Sequence, residues 1–283
     1  MRWSTGDRDN INDMRGSSGG GGRMIPLGIG GFIVVALLSM FTGVDFFSIL
    51  GGGSSSQPTA VGTSGKVTGS PSEERTVDMV DAVARDVQET WGQKLGSYQP
   101  TKVTLFRDSI QSACGYAGAA SGPFYCPGDR QVYLDLSFFD ELQRRFGASG
   151  ELADAYVVAH EFGHHVQRLT GTEANVRDMQ RADPSSANPL SVRVELQADC
   201  YAGVWGHEAA KSGRAAQGKV ELDPGDLQDA LRAAAAIGDD RLQKLGTGRV
   251  MPEKFTHGSS EQRVTWFKRG FDSGDPRQCD TFR

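Results

Sequence analysis

The apolar positions change period several times along the chain, and each change predicts an element. From Met24 to Val44 the chain runs without a charge (MIPLGIGGFIVVALLSMFTGV), long enough to cross a bilayer as one helix. A cleaved signal peptide would have a shorter apolar region ending in a small-x-small site. A buried soluble helix would be weakened by Gly28, Gly30 and Gly31. Four arginines precede the span and no Lys or Arg follows until Lys66, so the positive-inside rule puts the N-terminus in the cytoplasm and the rest outside. The expectation is one transmembrane helix over 24–44. It would follow a disordered cytoplasmic N-terminus over 1–23 and precede a flexible Gly/Ser linker over 45–71.

Order is expected to resume at Ser72-Glu73-Glu74. Val77, Val80, Val83, Ala84 and Val87 share one helical face there, completed by Trp91 and Leu95. Lys102–Phe106 reads as a short strand. Gln131–Leu136 alternates, with Val132, Leu134 and Leu136 on one face and Tyr133 and Asp135 on the other, a strand whose edge could receive an extended peptide or could be covered. A short helix over 138–146 follows, then a Gly-Ala-Ser-Gly loop at 147–150. A longer helix spans about Glu151–Leu169, with Gly171 as its stop. Residues 170–191, rich in Thr, Asn, Ser, Asp and Pro, read as a long loop able to gate the region above that helix. A second helix opens at Val192, residues 226–237 are strongly helix-favouring, and Val264–Phe267 is expected in the core.

The 283 residues, 38% hydrophobic content and net charge of −5 fit one compact domain, over 72–283, with appendages. No basic excess argues for nucleic acid. Cys114, Cys126, Cys200 and Cys279 all follow the apolar span, and an even count in an oxidising compartment suggests two disulfides. Four cysteines permit three pairings. Cys114–Cys126 with Cys200–Cys279 is favoured, and a buried free thiol at Cys200 is the alternative.

The chemistry concentrates in His160-Glu161-Phe162-Gly163-His164, the H-E-x-x-H pattern of zinc peptidases. On a helix, residues four apart lie on one face, so both imidazoles can reach one ion. A catalytic zinc takes three protein ligands and a water, which leaves one ligand to find. Glu195 and Asp199 share a face of the second helix. Glu195 is the expected third ligand, and Asp199 is expected to orient His160 through its other ring nitrogen. Zinc would lower the pKa of its bound water toward about 7, with Glu161 taking the proton. His165 points about 100° away from His164 and is read as no ligand. His207 is read as surface or supporting.

The E-x-x-x-D arrangement after H-E-x-x-H is similar to the gluzincin pattern. The fuller text SACG…GPFYCP…VYLDLSFF…AYVVAHEFGHHVQ…VRVELQADCYAGVWG resembles the bacterial family called Putative neutral zinc metallopeptidase, and the likeness covers nearly the whole chain. It implies an α+β, mostly helical gluzincin-like domain with a small antiparallel sheet, anchored by one span in the bacterial inner membrane. It also implies a zinc peptidase with one catalytic Zn2+, and the expected outside location makes envelope or extracytoplasmic proteins and peptides the expected substrates. Thr256–Arg263 resembles the T-H-P-x-x-x-x-R segment of membrane-associated gluzincins related to CAAX-processing enzymes, with Gly258 in place of the proline. That resemblance assigns His257 and Arg263 to the developing oxyanion; the plain readings are a loop histidine and a structural ion pair. The rival functions are a zinc-bearing, membrane-anchored interaction protein without turnover and a cell-wall peptide amidase.

Overall fold

The first long helix starts where the side chains supply the missing partners of a helix end. In the computed structural model, which describes residues 1–16, 69–118, 121–146 and 150–283, Ser70 accepts a hydrogen bond from the Glu73 amide and Pro71 occupies the first turn of α1 (Pro71–Lys94). Its stripe of Val77, Val80, Val83, Ala84, Val87 and Trp91 is fully buried, and Trp91 meets Tyr201 edge-on.

The strands follow: β1 (Ile11–Asp13) ahead of α1, then β2 (Val103–Phe106), β3 (Ser109–Ser112), β4 (Gly115–Gly118), β5 (Phe124–Cys126) and β6 (Gln131–Asp135). Four of them form a sheet in the order β1-β2-β6-β5. The antiparallel sheet expected from the sequence is corrected here to a mixed one. β1 and β6 run parallel to β2, and only β5 is antiparallel to β6; β3 and β4 make a separate antiparallel pair. β6 has neighbours on both sides, so its edge is covered and cannot take an added strand. Tyr133 is buried too, stacked on Phe124 at 4.8 Å.

Helices complete the molecule: α2 (Ser137–Phe146), α3 (Glu151–Thr170), α4 (Thr172–Ala182), α5 (Ala187–Ala209), α6 (Asp226–Ala236), α7 (Asp239–Thr247) and α8 (Ser260–Ser273). Gly171, at φ 82°, ends α3 in the left-handed conformation that glycine tolerates. The long loop expected over 170–191 is instead α4, a short turn at Pro184–Ser186 and the first turn of α5. Glu173, Val176 and Gln180 lie on the buried face of α4, and Val176 packs with Leu190 and Val194. A single buried apolar side chain, beside two buried polar ones, left the period of this helix invisible in the sequence. Both disulfides, Cys114–Cys126 and Cys200–Cys279, pair as favoured.

The N-terminal residues depart furthest from expectation. Residues 1–16 are built into the domain: β1 pairs with β2, Arg2 bridges to Glu221, and Asn10 hydrogen-bonds the buried Asp81. Arg15, itself buried, meets Asp13, Glu73 and Glu74. A single span would place this segment and residues 69–283 on opposite sides of a bilayer, which the shared sheet does not allow. Among the described residues no helix is long and apolar enough to cross a membrane. The anticipated span at 24–44 and most of the linker over 45–71 lie outside the described residues. The transmembrane helix and the single-pass inner-membrane location, with a cytoplasmic N-terminus and an outside domain, are therefore corrected.

Candidate metal centre

Two packed helices bring the candidate ligands together. His160 and His164 sit one turn apart on α3, their rings perpendicular with centroids 4.9 Å apart. Glu195 reaches them from α5. Its Oε2 is 3.2 Å from His160 Nε2 and its Oε1 is 3.5 Å from His164 Nε2. One ligand atom from each residue lies within 4.8 Å of the others, and all three side chains are buried. Gly163 permits this approach: a Cβ there would stand 2.9 Å from the Ala198 carbonyl oxygen of α5.

The outer partners decide which nitrogen faces the cluster. His160 Nδ1 is 2.9 Å from Asp199 Oδ1; an ionised carboxylate only accepts, so Nδ1 carries the proton and donates. His164 Nδ1 donates likewise to Gln167 Oε1 at 2.9 Å. In the neutral rings both Nε2 lone pairs then point at the Glu195 carboxylate, acceptor against acceptor. That buried arrangement needs a cation. The nitrogen-and-carboxylate donor set suits zinc, so the residues present fit the ion.

The titrating groups report the same demand for positive charge. Burial works to lower the pKa of His160, but Asp199 and Glu195 outweigh it and raise it to about 9. Burial opposes ionisation of Glu195, yet the charges of His164, His160 and His257 hold it well below the usual carboxylate range. Asp199 is also lowered against its burial, first by Arg263 and then by His160. Glu161 goes the other way. Desolvation raises its pKa despite the nearby imidazoles, and no described residue hydrogen-bonds its buried carboxyl.

Arg263 stands behind His160 rather than above the cluster. Its Nε and Nη2 make a two-pronged contact with Asp199, at 2.8 and 2.9 Å. Nη2 also lies 3.2 Å from the Tyr156 hydroxyl, which donates to Asp199 Oδ1. His257 is buried, with Nδ1 3.0 Å from Asp239 Oδ1. Asp239 Oδ2 accepts from the backbone amides of Thr256, His257 and Gly258. Gly258 has φ 92°, which a proline fixed near −65° could not adopt, so this turn differs from the T-H-P form at that residue. His165 lies outside the cluster, bonded to Tyr125 and the Gln99 carbonyl. His207 contacts the Phe271 carbonyl.

Sequence reasoning missed Tyr156, Gln167, Gln197 and Asp239. Tyr156 sits four residues before His160 and Gln167 three after His164, so helical spacing could have found those two. No local pattern announces Asp239, which meets His257 only through the fold.

A buried pair of imidazoles and a carboxylate on two packed helices defines a candidate single-ion zinc site. Over residues 1–282 the chain matches the family described as Putative neutral zinc metallopeptidase, and it belongs to that family. It is 46% identical over 295 residues to Uncharacterized protein YpfJ of Escherichia coli K12, covering 100% of this chain and 99% of that one. It is also 46% identical over 207 residues to Uncharacterized protein Mb2605 of Mycobacterium bovis, across 72% of this chain and 69% of that protein. Uncharacterized protein Rv2575 of Mycobacterium tuberculosis H37Rv gives the same figures. No solved structure matches.

Proposed function

We propose that this protein is a zinc-dependent endopeptidase in which residues 72–283 carry the active site. His160, His164 and Glu195 would hold the ion, and Glu161 would act as the general acid–base. The observation that carries the reading is the two Nε2 atoms facing the Glu195 carboxylate at 3.2 and 3.5 Å, with the buried carboxyl of Glu161 one residue along from His160. Bound there, zinc supplies Lewis-acid polarisation of a carbonyl and acidification of water.

The remaining work falls to the side chains. Glu161 takes a proton from the attacking water as the carbon–oxygen bond forms, and passes it to the departing amine nitrogen as the carbon–nitrogen bond breaks. Burial supports that role, because a carboxyl with a raised pKa both accepts and returns a proton more readily near neutrality. His257 commits its Nδ1 proton to Asp239, so it can donate from Nε2 only with both ring nitrogens protonated. We assign it to the carbonyl oxygen as charge develops. Arg263, tied to Asp199 and Tyr156, is better read as a positioning residue for His160 than as a contact to substrate. Asp199 keeps His160 Nδ1 protonated and its Nε2 free.

The test uses the full chain, wild type beside Glu161→Gln, with zinc per chain and cleavage of casein measured with and without a chelator. The expected result is one zinc in both proteins and chelator-sensitive cleavage in wild type alone. Zinc loss in Glu161→Gln would make Glu161 structural, and no zinc in either protein would sink the reading. Zinc without cleavage of casein or any unfolded protein would favour a binding protein without turnover.

A further inference from the structure

The two histidines of the cluster are supported differently. His160 leans on a carboxylate, whereas His164 leans on a neutral amide whose own orientation is set by a chain of contacts. Gln167 Nε2 uses both hydrogens, on the Val194 carbonyl at 2.7 Å and on Gln197 Oε1 at 3.1 Å. Gln197 Nε2 donates in turn to the Cys279 carbonyl at 2.9 Å. Turning either amide over would set acceptor against acceptor, in a place where both side chains are buried. The chain therefore fixes Oε1 of Gln167 toward His164 Nδ1, and so leaves the lone pair of His164 on Nε2.

The far end of this chain is covalently tied. Cys279 is bonded to Cys200, which follows Asp199 on α5 and is fully buried. Beyond the disulfide, the tail is held by burial of Cys279 in the core, by Thr281 Oγ1 donating to the Arg193 carbonyl at 2.7 Å, and by Phe282 packing against Val176, Leu190 and Val194.

Resting on the metal-site reading above, we propose that Gln167 and Gln197 are positioning residues for His164, and that the Cys200–Cys279 disulfide is the anchor of their chain. Metal retention is then coupled to the oxidation state of that disulfide. Its two-electron reduction by a dithiol gives two thiols and an oxidised reductant, loosens the tail at Cys279, and lets the carbonyl that orients Gln197 shift. The Val194 carbonyl still holds Gln167, so the effect is a weakening of zinc binding and not its loss.

The experiment measures zinc affinity by competition with a chromophoric chelator, and the visible absorption of the cobalt-substituted protein, in full-length variants checked by circular dichroism. Gln167→Ala is expected to weaken zinc by roughly 10–100-fold, and Gln197→Ala by about 10-fold at the low end of that range. Both should shift the cobalt spectrum, which a remote structural change would leave alone. Gln167→Glu, which keeps the acceptor for His164, should restore part of the affinity. Cys200→Ser with Cys279→Ser should weaken zinc to a similar degree as Gln197→Ala, and adding Gln197→Ala to it should change nothing further. If the double serine variant fails to fold, reducing the native wild-type protein without denaturant gives the same comparison.

Unchanged affinity and spectrum in folded Gln167→Ala and Gln197→Ala would overturn the chain. Additive effects of disulfide loss and Gln197→Ala would overturn the coupling. Wild type that binds no zinc would remove the metal-site reading and this inference together, whereas zinc bound equally by wild type and both glutamine variants would remove this inference alone.

Discussion

At the scale of single residues, three buried carboxyl groups around one histidine pair are driven apart by what they touch. Glu195 is lowered by imidazoles and Asp199 by a guanidinium, while Glu161, with no hydrogen-bonding partner among the described residues, is raised by desolvation. One chemical group thus supplies a candidate ligand, an orienting acceptor and a candidate proton carrier. The Asp199–Arg263 pair carries an exacting condition, because both charges are buried. Replacing Arg263 with Met should cost about 3–5 kcal/mol in denaturant unfolding, since it leaves Asp199 ionised without its main partner. A loss of activity in a variant of unchanged stability would instead return Arg263 to direct contact with substrate. Much of this site was legible in the sequence. Four-residue spacing placed His160 with His164 and Glu195 with Asp199, because helical neighbours are fixed by the backbone. For Arg263 the sequence left two readings, the oxyanion and a structural ion pair, because whether a guanidinium faces the substrate or backs a ligand depends on how α8 is turned against α5.

At the scale of elements, small residues bring the helices carrying the site to backbone contact. A Cβ on Gly203 of α5 would stand 2.0 Å from the Phe267 carbonyl oxygen of α8, and one on Gly270 of α8 would stand 1.9 Å from the Cys200 carbonyl oxygen of α5. Neither neighbour can yield without moving a helix. Gly270→Ala should therefore destabilise the protein by about 3 kcal/mol, the upper end for overpacking. It should also weaken zinc binding, because separating α8 from α5 draws Arg263 off Asp199. Equal zinc affinity in a folded Gly270→Ala protein would show the two contacts to be independent. Elements with a strong apolar stripe, such as α1 and α3, could be placed from sequence to within a few residues. α4 could not, since its buried face holds Glu173 and Gln180 beside Val176 and its composition is that of a loop.

At the scale of the whole molecule, the chain's first residues and its last ones both brace the domain. β1 covers the outer edge of β2, and Arg15 and Asn10 supply partners to Glu73, Glu74 and the buried Asp81. Deleting residues 1–16 should lower unfolding stability by about 3 kcal/mol or more, because it strips partners from buried charge. Zinc content should be unchanged, as none of the hydrogen-bond partners of the cluster lies in that segment. A synthetic peptide of the same sixteen residues should restore the melting temperature when added back. A normal melting temperature in the deletion would show the segment to be a passenger.

The sequence by itself determined the local facts of this protein: the helix that carries the two candidate histidine ligands and its stop, the partner helix with its paired carboxylates, and the residues able to hold one ion. Each follows from backbone periodicity, which acts over a few residues and needs no knowledge of the fold. Only the tertiary structure decided the strand order, the helix hidden in the polar stretch after α3, and the return of the N-terminus to the sheet. It alone decided that Gln167, Gln197 and Cys279 form a line to His164. These depend on contacts between residues tens to hundreds of positions apart, whose partners are chosen by packing and by the need to satisfy buried polar groups, and no local pattern encodes that choice.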